Sequence, residues 1–157
     1  MKTLILGFGN PILTDDAIGI RIAEELQGEF PDITVEATSE AGLSILDEVT
    51  GYDKLVIIDS IKTGKGKPGE LYKLTLEDLQ PKSDFSSSHG LDIATAFKLG
   101  EKLGYPIPKQ VSIYAVEVKD NTTFGEECTP ELKQSMSLII RQIIEEERLC
   151  QIPSPKS

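Results

Sequence analysis

Apolar runs and amphipathic segments alternate along the chain, and this alternation predicts its secondary structure. The first apolar run, TLILGF, predicts a strand from Thr3. The segment that follows, residues 16–30, predicts a helix because its apolar side chains recur at helical spacing on one face. The residues of that face are Ile18, Ile22, Ala23, Leu26 and Phe30.

The rest of the chain continues the pattern. Strands are predicted over ITVEA, KLVIID, ELYKLTL and VSIYAVEV, and helices over GLSILDEV, residues 89–104 and residues 130–147. The continuous apolar run LVIID is typical of a parallel strand that is buried on both faces, whereas ELYKLTL is less apolar and predicts an antiparallel edge strand. The last helix has Thr129 as its predicted N-cap and Pro130 in its first turn. Its apolar face is formed by Leu132, Met136, Ile139, Ile140 and Ile143.

This order predicts an α/β sandwich built around a mostly parallel sheet. The 157 residues are enough for one domain, which we place at residues 1–147, with residues 148–157 as a flexible tail. In such sheets, functional residues lie in the loops beyond the carboxyl ends of the strands. The loops of interest are therefore GNPILTDD, DSIKTGKG and the stretch that enters the helix at His89.

Composition and charge narrow the classes of function. Hydrophobic residues make up 39% and charged residues 27% of a chain with no apolar run near the roughly 20 residues that span a bilayer. The short apolar start lacks a cleavage site for a signal peptide, so the cytoplasm is the expected location. A net charge of −10 argues against nucleic acids and anionic membranes as partners. The basic loop with Lys62, Lys65 and Lys67 is interpreted as a solvated loop that could touch an acidic partner.

The two cysteines, Cys128 and Cys150, form neither a disulfide framework nor a metal-ligand pair. Neither lies beside a base in a strand-end loop, and the chain has no G-x-S-x-G elbow. We therefore interpret both as ordinary thiols and do not predict nucleophilic catalysis.

Three residues that could carry chemistry fall on one predicted edge of the sheet. Asp16 follows the first strand, Asp59 ends LVIID, and His89, the only histidine, stands at the start of a helix. Two carboxylates and one imidazole suit a divalent transition metal with open coordination positions. Without a thiolate, such a site would hold its metal weakly, as expected for a metal that is shared with a partner.

Each of these residues also has an ordinary structural interpretation. His89 or a preceding serine could cap the helix, and Asp59 could accept hydrogen bonds from the backbone of its turn. Asp15 or Asp16 could stabilise the start of the first helix, and Asp15 is the better candidate for that role. A second adjacent carboxylate is less well explained, because two like charges repel unless a cation or a proton intervenes.

The glycines of GFGNPI raise the alternative of a small nucleotide-binding module. Gly7 and Gly9 match the start of a dinucleotide fingerprint, but Ile12 replaces its third glycine and no lysine follows to make a P-loop. Asp15 and Asp16 would also face the phosphates. The acidic pair therefore argues against bound nucleotide.

Four stretches of the chain resemble the hydrogenase maturation proteases, which trim the C-terminal extension from the large subunit of nickel–iron hydrogenases. They are LGFGNPILTDDAIGIRIAEEL, LVIID, SSHGLDIATAF and TPELKQSM. The first contains a long motif in which Gly-x-Gly-Asn is followed after four residues by an acidic pair and then by Gly19. The similarity covers residues 1–147.

The resemblance implies a fold and a site. The fold would be a three-layer α/β sandwich, a twisted, mostly parallel five-stranded sheet with helices on both faces. The site would consist of Asp16, Asp59 and His89, as catalytic and metal-contacting residues that recognise nickel already installed in the hydrogenase large-subunit precursor. The nickel would be carried by this partner rather than bound permanently, and we expect the protein to act as a monomer.

The chain departs from the family pattern at two places. Many members carry Asp-Gly-Gly-Thr or a similar stretch after the second strand, where this chain reads EATSEAGLSIL and keeps only Gly42. Many members also have a glycine directly after the acidic pair, where this chain has Ala17. Gly19 would still permit close packing of the helix start.

Two hypotheses about function remain beside the nucleotide-binding module. The first is an endopeptidase in which nickel is either a Lewis acid or only a checkpoint, with Asp16 or Asp59 as general base. The second is a non-catalytic metal-binding chaperone that recognises the same precursor.

Overall fold

The computed structural model describes residues 1–39, 42–79 and 88–149, with the backbone alone for residues 88–91. The strands are β1 (Thr3–Phe8), β2 (Ile33–Thr38), β3 (Lys54–Ile61), β4 (Leu71–Leu74) and β5 (Gln110–Glu117). The α-helices are α1 (Ile18–Leu26), α2 (Ile45–Val49), α3 (Ser88–Leu103) and α4 (Pro130–Glu147). Two 3-10 turns cover Thr14–Ala17 and Leu76–Leu79.

The strands form one five-stranded sheet in the order β2-β1-β3-β5-β4. The pairs β1–β2, β1–β3 and β3–β5 are parallel, and β4 pairs antiparallel with β5 at the edge. The mostly parallel sheet and the antiparallel edge strand confirm the architecture predicted from the sequence.

Helices cover both faces of the sheet, so the protein is a three-layer sandwich. Because side chains alternate between the faces of a strand, β1 and β3 send alternate apolar side chains into two separate cores. One core lies against α2 and α3 and the other against α1 and α4. The inward residues predicted for α1 and α4 are buried or packed against the second core.

Glycines allow α1 to approach the sheet closely. A Cβ added to Gly7 of β1 would lie 2.2 Å from the carbonyl oxygen of Gly19 in α1. A Cβ added to Gly19 would lie 2.3 Å from the carbonyl oxygens of Phe8 and Ile58. The expectation that Gly19 permits close packing of the helix start is confirmed, and this packing fixes the turn that carries Asp16.

Element boundaries differ from the prediction at a few points. The first helical segment is divided into the 3-10 turn and α1, and α1 ends at Leu26 because Gln27 is extended and Gly28 has a φ of +82°. Strand β3 continues two residues beyond Asp59 because Ser60 and Ile61 still pair with β5. The 3-10 turn at Leu76–Leu79 was not predicted.

The C-terminal helix begins as predicted, with Thr129 at the N-cap position and Pro130 in the first turn. It ends at Glu147, and Arg148 adopts a left-handed conformation after it. The division into a domain at residues 1–147 and a tail stays a prediction, since residues 150–157 lie outside the described part of the chain. None of the described helices is long and apolar enough to cross a membrane.

Candidate active site

Asp16 and Asp59 both accept hydrogen bonds from Ser60. Asp16 lies in the 3-10 turn that follows β1, and Asp59 lies near the carboxyl end of the neighbouring strand β3. The Ser60 hydroxyl donates a hydrogen bond to Asp16 Oδ1 at 2.7 Å, while the Ser60 backbone N–H donates to Asp59 Oδ1 at 2.8 Å. Ser60 therefore contacts both carboxylates at the carboxyl edge of the sheet, while their joint role in one site stays a prediction.

Asp16 is held at both of its carboxylate oxygens. Its Oδ2 accepts a hydrogen bond from the Asn10 backbone N–H at 3.0 Å, and its side chain is partly exposed. Each carboxylate oxygen has two lone pairs, so one hydrogen bond to each oxygen leaves Asp16 able to contact a cation as well. Asp59 is 5% exposed, and its bond from the Ser60 N–H matches the turn role that was its alternative interpretation.

His89 lies in the first turn of α3, but its side chain lies outside the described residues. The path of the chain shows where this turn is. Helix α3 ends at Leu103 and β5 begins at Gln110, which pairs with Lys54 at the amino end of β3. The last turn of α3 therefore lies at the amino edge of the sheet, and its first turn lies towards the carboxyl edge that carries Asp59.

Asp59 projects towards the same layer as α3. Side chains alternate along β3, and Ile57 and Ile61 belong to the core that also contains Ile93 and Phe97 of α3. Among the side chains that the structure describes, no group of three or more His, Cys, Asp or Glu residues could hold a metal. Because the side chain of His89 is not among them, the predicted trio stays a prediction.

Asp15 has a different environment from its neighbour. It is fully buried, and its carboxylate accepts hydrogen bonds from the backbone N–H groups of Lys119, Asp120 and Thr129 at 2.7–3.1 Å. The Thr129 hydroxyl also lies 3.0 Å from both carboxylate oxygens. Asp15 therefore ties the loop after β5 and the start of α4 to the first strand–helix connection. It lies in the first turn of the 3-10 segment that leads into α1, where the sequence placed it, but its carboxylate is bonded to the other two segments.

Comparison with known proteins agrees with this arrangement. The family model described as hydrogenase maturation protease (HycI) matches residues 20–146. The hydrogenase 2 maturation protease of Escherichia coli K12 is 33% identical over 122 residues, which are 74% of this chain and 73% of that protein. The chain belongs to the hydrogenase maturation protease family.

Solved structures of the family share the fold. The hydrogenase maturating endopeptidase HybD from E. coli superposes with a TM-score of 0.79 at 27% identity, over the whole of both chains. The NiFe hydrogenase maturation protease HybD from Thermococcus kodakarensis gives a TM-score of 0.70 at 25% identity, over 96% of this chain and all of the other. The chain is thus a hydrogenase maturation endopeptidase, as its sequence predicted.

The glycine-rich start of this protease is used for internal packing. A Cβ added to Gly9 would lie 2.2 Å from the carbonyl oxygen of Asp16, so the space beside this glycine is filled by the protein itself. The Asn10 N–H, which a phosphate loop would offer to its ligand, is bonded to the Asp16 carboxylate. Both observations argue against the nucleotide-binding hypothesis.

The environment of Cys128 does not favour a nucleophilic thiolate. Cys128 is 7% exposed, and burial and the nearby charge of Asp15 raise the pKa of its thiol. A protonated, buried thiol is unreactive, which agrees with its interpretation as an ordinary thiol. Cys150 lies outside the described residues.

Sequence reasoning missed Ser60 and Asn10, the two residues that hold Asp16. The hydrogen bond from Ser60 to Asp16 spans 44 residues, and no local pattern in the sequence indicates it. The basic loop that follows has exposed lysines, as predicted. It is fastened by Glu117, which accepts hydrogen bonds from the Thr63 N–H at 2.9 Å and the Tyr72 hydroxyl at 2.9 Å.

Proposed function

We propose that the protein removes the C-terminal extension from the large-subunit precursor of a nickel–iron hydrogenase after nickel has been inserted. Asp16, Asp59 and His89 recognise the nickel, which is carried by the precursor. The observation that supports this proposal is the contact of Ser60 with both carboxylates, with Asp16 through its hydroxyl and with Asp59 through its backbone N–H, at the carboxyl ends of β1 and β3. The cytoplasmic location and the monomeric state stay predictions.

The chemistry of the donors fits a divalent cation on the substrate. Two carboxylates in one place repel each other, and an approaching cation relieves that repulsion. Asp16 is held at both oxygens but is partly exposed, so it is oriented before the precursor binds and can still reach it. A precursor without nickel lacks the charge that this pair attracts, which explains how cleavage would wait for metal insertion.

Two roles are open to the carboxylates during cleavage. As ligands, they hold the nickel of the precursor, which polarises the scissile carbonyl as a Lewis acid. Alternatively, Asp16 or Asp59 takes a proton from the attacking water while the nickel only secures the precursor. In the first role a carboxylate is needed to bind the nickel-loaded precursor. In the second role it is needed only for the cleavage step.

The proposal is tested by incubating the protein with nickel-loaded and nickel-free precursor and measuring the precursor mass. Shortening of the loaded form alone is expected. Binding of the loaded precursor without shortening would instead indicate the metal-binding chaperone. Shortening of both forms would refute recognition of nickel.

Substitutions at the three proposed site residues test whether each one is needed for processing. His89→Ala, Asp16→Asn and Asp59→Asn are each expected to abolish shortening while the protein stays folded. Asp53→Asn is the matched control, because this exposed carboxylate lies at the opposite edge of the sheet, where it accepts a hydrogen bond from the Lys2 N–H. Normal processing by any of the three variants would remove that residue from the site.

Binding measured apart from cleavage separates the two roles. If a carboxylate is a ligand, its Asn variant no longer prefers nickel-loaded over nickel-free precursor. If it is the general base, the variant keeps that preference and loses only the cleavage step.

A further inference from the structure

Two large apolar side chains are exposed beside the candidate site. Phe124 is 79% exposed and Ile12 is 50% exposed. A parallel bridge joins Leu13 to Gly125, with Gly125 N–H donating to the Ile12 carbonyl at 2.9 Å and Thr14 N–H donating to the Gly125 carbonyl at 3.1 Å. In this parallel register Ile12 and Phe124 are the residues that precede the bridged pair, so they lie across from each other, and we call these two exposed residues the Ile12–Phe124 platform.

Hydrogen bonds hold the two loops that carry the platform. The buried Asp15 carboxylate holds the loop after β5 through the N–H groups of Lys119 and Asp120. On the other side, the Arg21 guanidinium donates to the Glu126 carbonyl at 2.9 Å. Thr14 keeps a left-handed φ of 46°, a conformation that persists only where the surroundings hold it. The loops that carry these apolar side chains are therefore held in place from both ends.

Through Ile12, the platform belongs to the same turn of the chain as the candidate catalytic residue Asp16. Asp16 N–H donates a hydrogen bond to the carbonyl of Leu13, the residue that forms the bridge. A protease must bind its protein substrate around the reacting groups, so this face is part of its substrate interface. We propose that the Ile12–Phe124 platform docks an apolar segment of the precursor next to the bond that is cut. This inference rests on the proposed function of the site.

The size of the platform favours a substrate segment over a second copy of this chain. The two side chains expose roughly 250 Å², since a phenylalanine can bury about 150–250 Å². A stable protein–protein interface buries about 800 Å² on each partner. The platform is thus too small to hold a dimer alone, but it suits one or two apolar side chains of a peptide whose other contacts are made in the site.

Other exposed apolar residues provide a contrast. Leu138 on the outer side of α4 is 58% exposed, and single apolar residues of this kind are ordinary on protein surfaces. Leu138 is therefore the matched control, because it has similar exposure and chemistry but lies on a helix away from Asp16.

The test compares Phe124→Ser, Ile12→Ser and the double variant with Leu138→Ser. The KM for nickel-loaded precursor and the Kd for nickel-free precursor are expected to rise about tenfold in Phe124→Ser and further in the double variant. The kcat at saturating precursor should stay within about twofold of wild type, because the reacting groups are untouched. The apolar contact also predicts that the loss persists at high salt.

Three results would overturn the proposal. The first is an unchanged KM and Kd in the double variant, and the second is an equal rise in Leu138→Ser. The third is a wild-type dimer that Phe124→Ser dissociates without weakening precursor binding, which would assign the platform to a second copy. If the precursor binds through Phe124 but is never shortened, the proposed function is refuted and the platform is not. If the double variant shortens the precursor normally at a low precursor concentration, the platform is refuted and the proposed function is not.

Discussion

The adjacent carboxylates of Asp15 and Asp16 should respond in opposite ways to the same substitution. Asp15→Asn is expected to destabilise the fold, whereas Asp16→Asn is expected to leave stability almost unchanged and to abolish processing. The comparison is well matched, because both variants replace one carboxylate oxygen by an amide nitrogen at neighbouring positions of one turn.

The magnitude for Asp15 follows from its buried hydrogen bonds. In the variant, the amide nitrogen must face either the N–H of Thr129 or those of Lys119 and Asp120, all of which now donate to the carboxylate. A lost hydrogen bond to a charged group costs about 1.5–3 kcal/mol, and a buried donor without an acceptor costs about 1–3 kcal/mol. The free energy of unfolding should therefore fall by about 3–5 kcal/mol, which lowers the Tm by roughly 10 °C in a chain of this size.

Asp16 has partners that tolerate an amide. The amide oxygen can accept the hydrogen bond from the Asn10 N–H, and the amide nitrogen can donate to the Ser60 hydroxyl, which is an acceptor as well as a donor. The free energy of unfolding should stay within about 1 kcal/mol of wild type.

Urea unfolding at pH 7 measures both stabilities, and the mass of nickel-loaded precursor after incubation measures processing. A wild-type midpoint for Asp15→Asn would refute the structural role of its buried carboxylate. If Asp16→Asn loses as much stability as Asp15→Asn, the inactivity of Asp16→Asn is caused by unfolding and not by the loss of a reacting carboxylate.

Two further variants test the packing of the helices. Gly19→Ala should lower the free energy of unfolding by about 1–3 kcal/mol, because its methyl group meets backbone carbonyl oxygens that cannot rotate away. Gly100→Ala meets a flexible leucine side chain and gains helix propensity, so its free energy of unfolding in urea should be nearly that of wild type. Equal losses in the two variants would contradict this reasoning. Burial raises the pKa of the Glu147 carboxyl, but hydrogen bonds from Lys54 and Tyr114 outweigh burial and hold the pKa below its usual range. Glu147→Gln should therefore lower the free energy of unfolding by about 1–3 kcal/mol at pH 7. The difference in this free energy between variant and wild type should shrink as the pH falls below about 4.3, where the carboxyl of the unfolded chain becomes protonated. A difference that does not change with pH would show that the charge of Glu147 does not cause the stabilisation.

The fold could be predicted from the sequence where local pattern decides structure. The apolar run of β1 has the predicted bounds, and the apolar positions of α1 and α4 lie in the cores as predicted. Where contacts distant in sequence decide, prediction failed. Strand β3 continues past Asp59 because Ser60 and Ile61 find partners on β5, and those partners are more than fifty residues away.

The same distinction applies to the candidate site. Asp16 and Asp59 could be placed on one edge because the carboxyl ends of parallel strands meet there. The hydrogen bond between Asp16 and Ser60 spans 44 residues, and the bonds of Asp15 span 104 to 114 residues. No periodic pattern carries such information, so the sequence could propose two roles for the acidic pair but could not show what Asp15 binds.

One short turn connects the three parts of the proposed site. Leu13 forms the bridge that supports Phe124, Asp15 is fastened to the loop after β5 and to α4, and Asp16 reaches Ser60 beside Asp59. This turn is held against β1 and β3, because α1, the helix that follows it, packs on the sheet through Gly7 and Gly19. A precursor segment that docked on the platform, as proposed, would thereby be held at a fixed distance from Asp16. The buried Asp15 performs no chemistry in this proposal, but it fastens the turn from which Asp16 would meet a metal on the substrate.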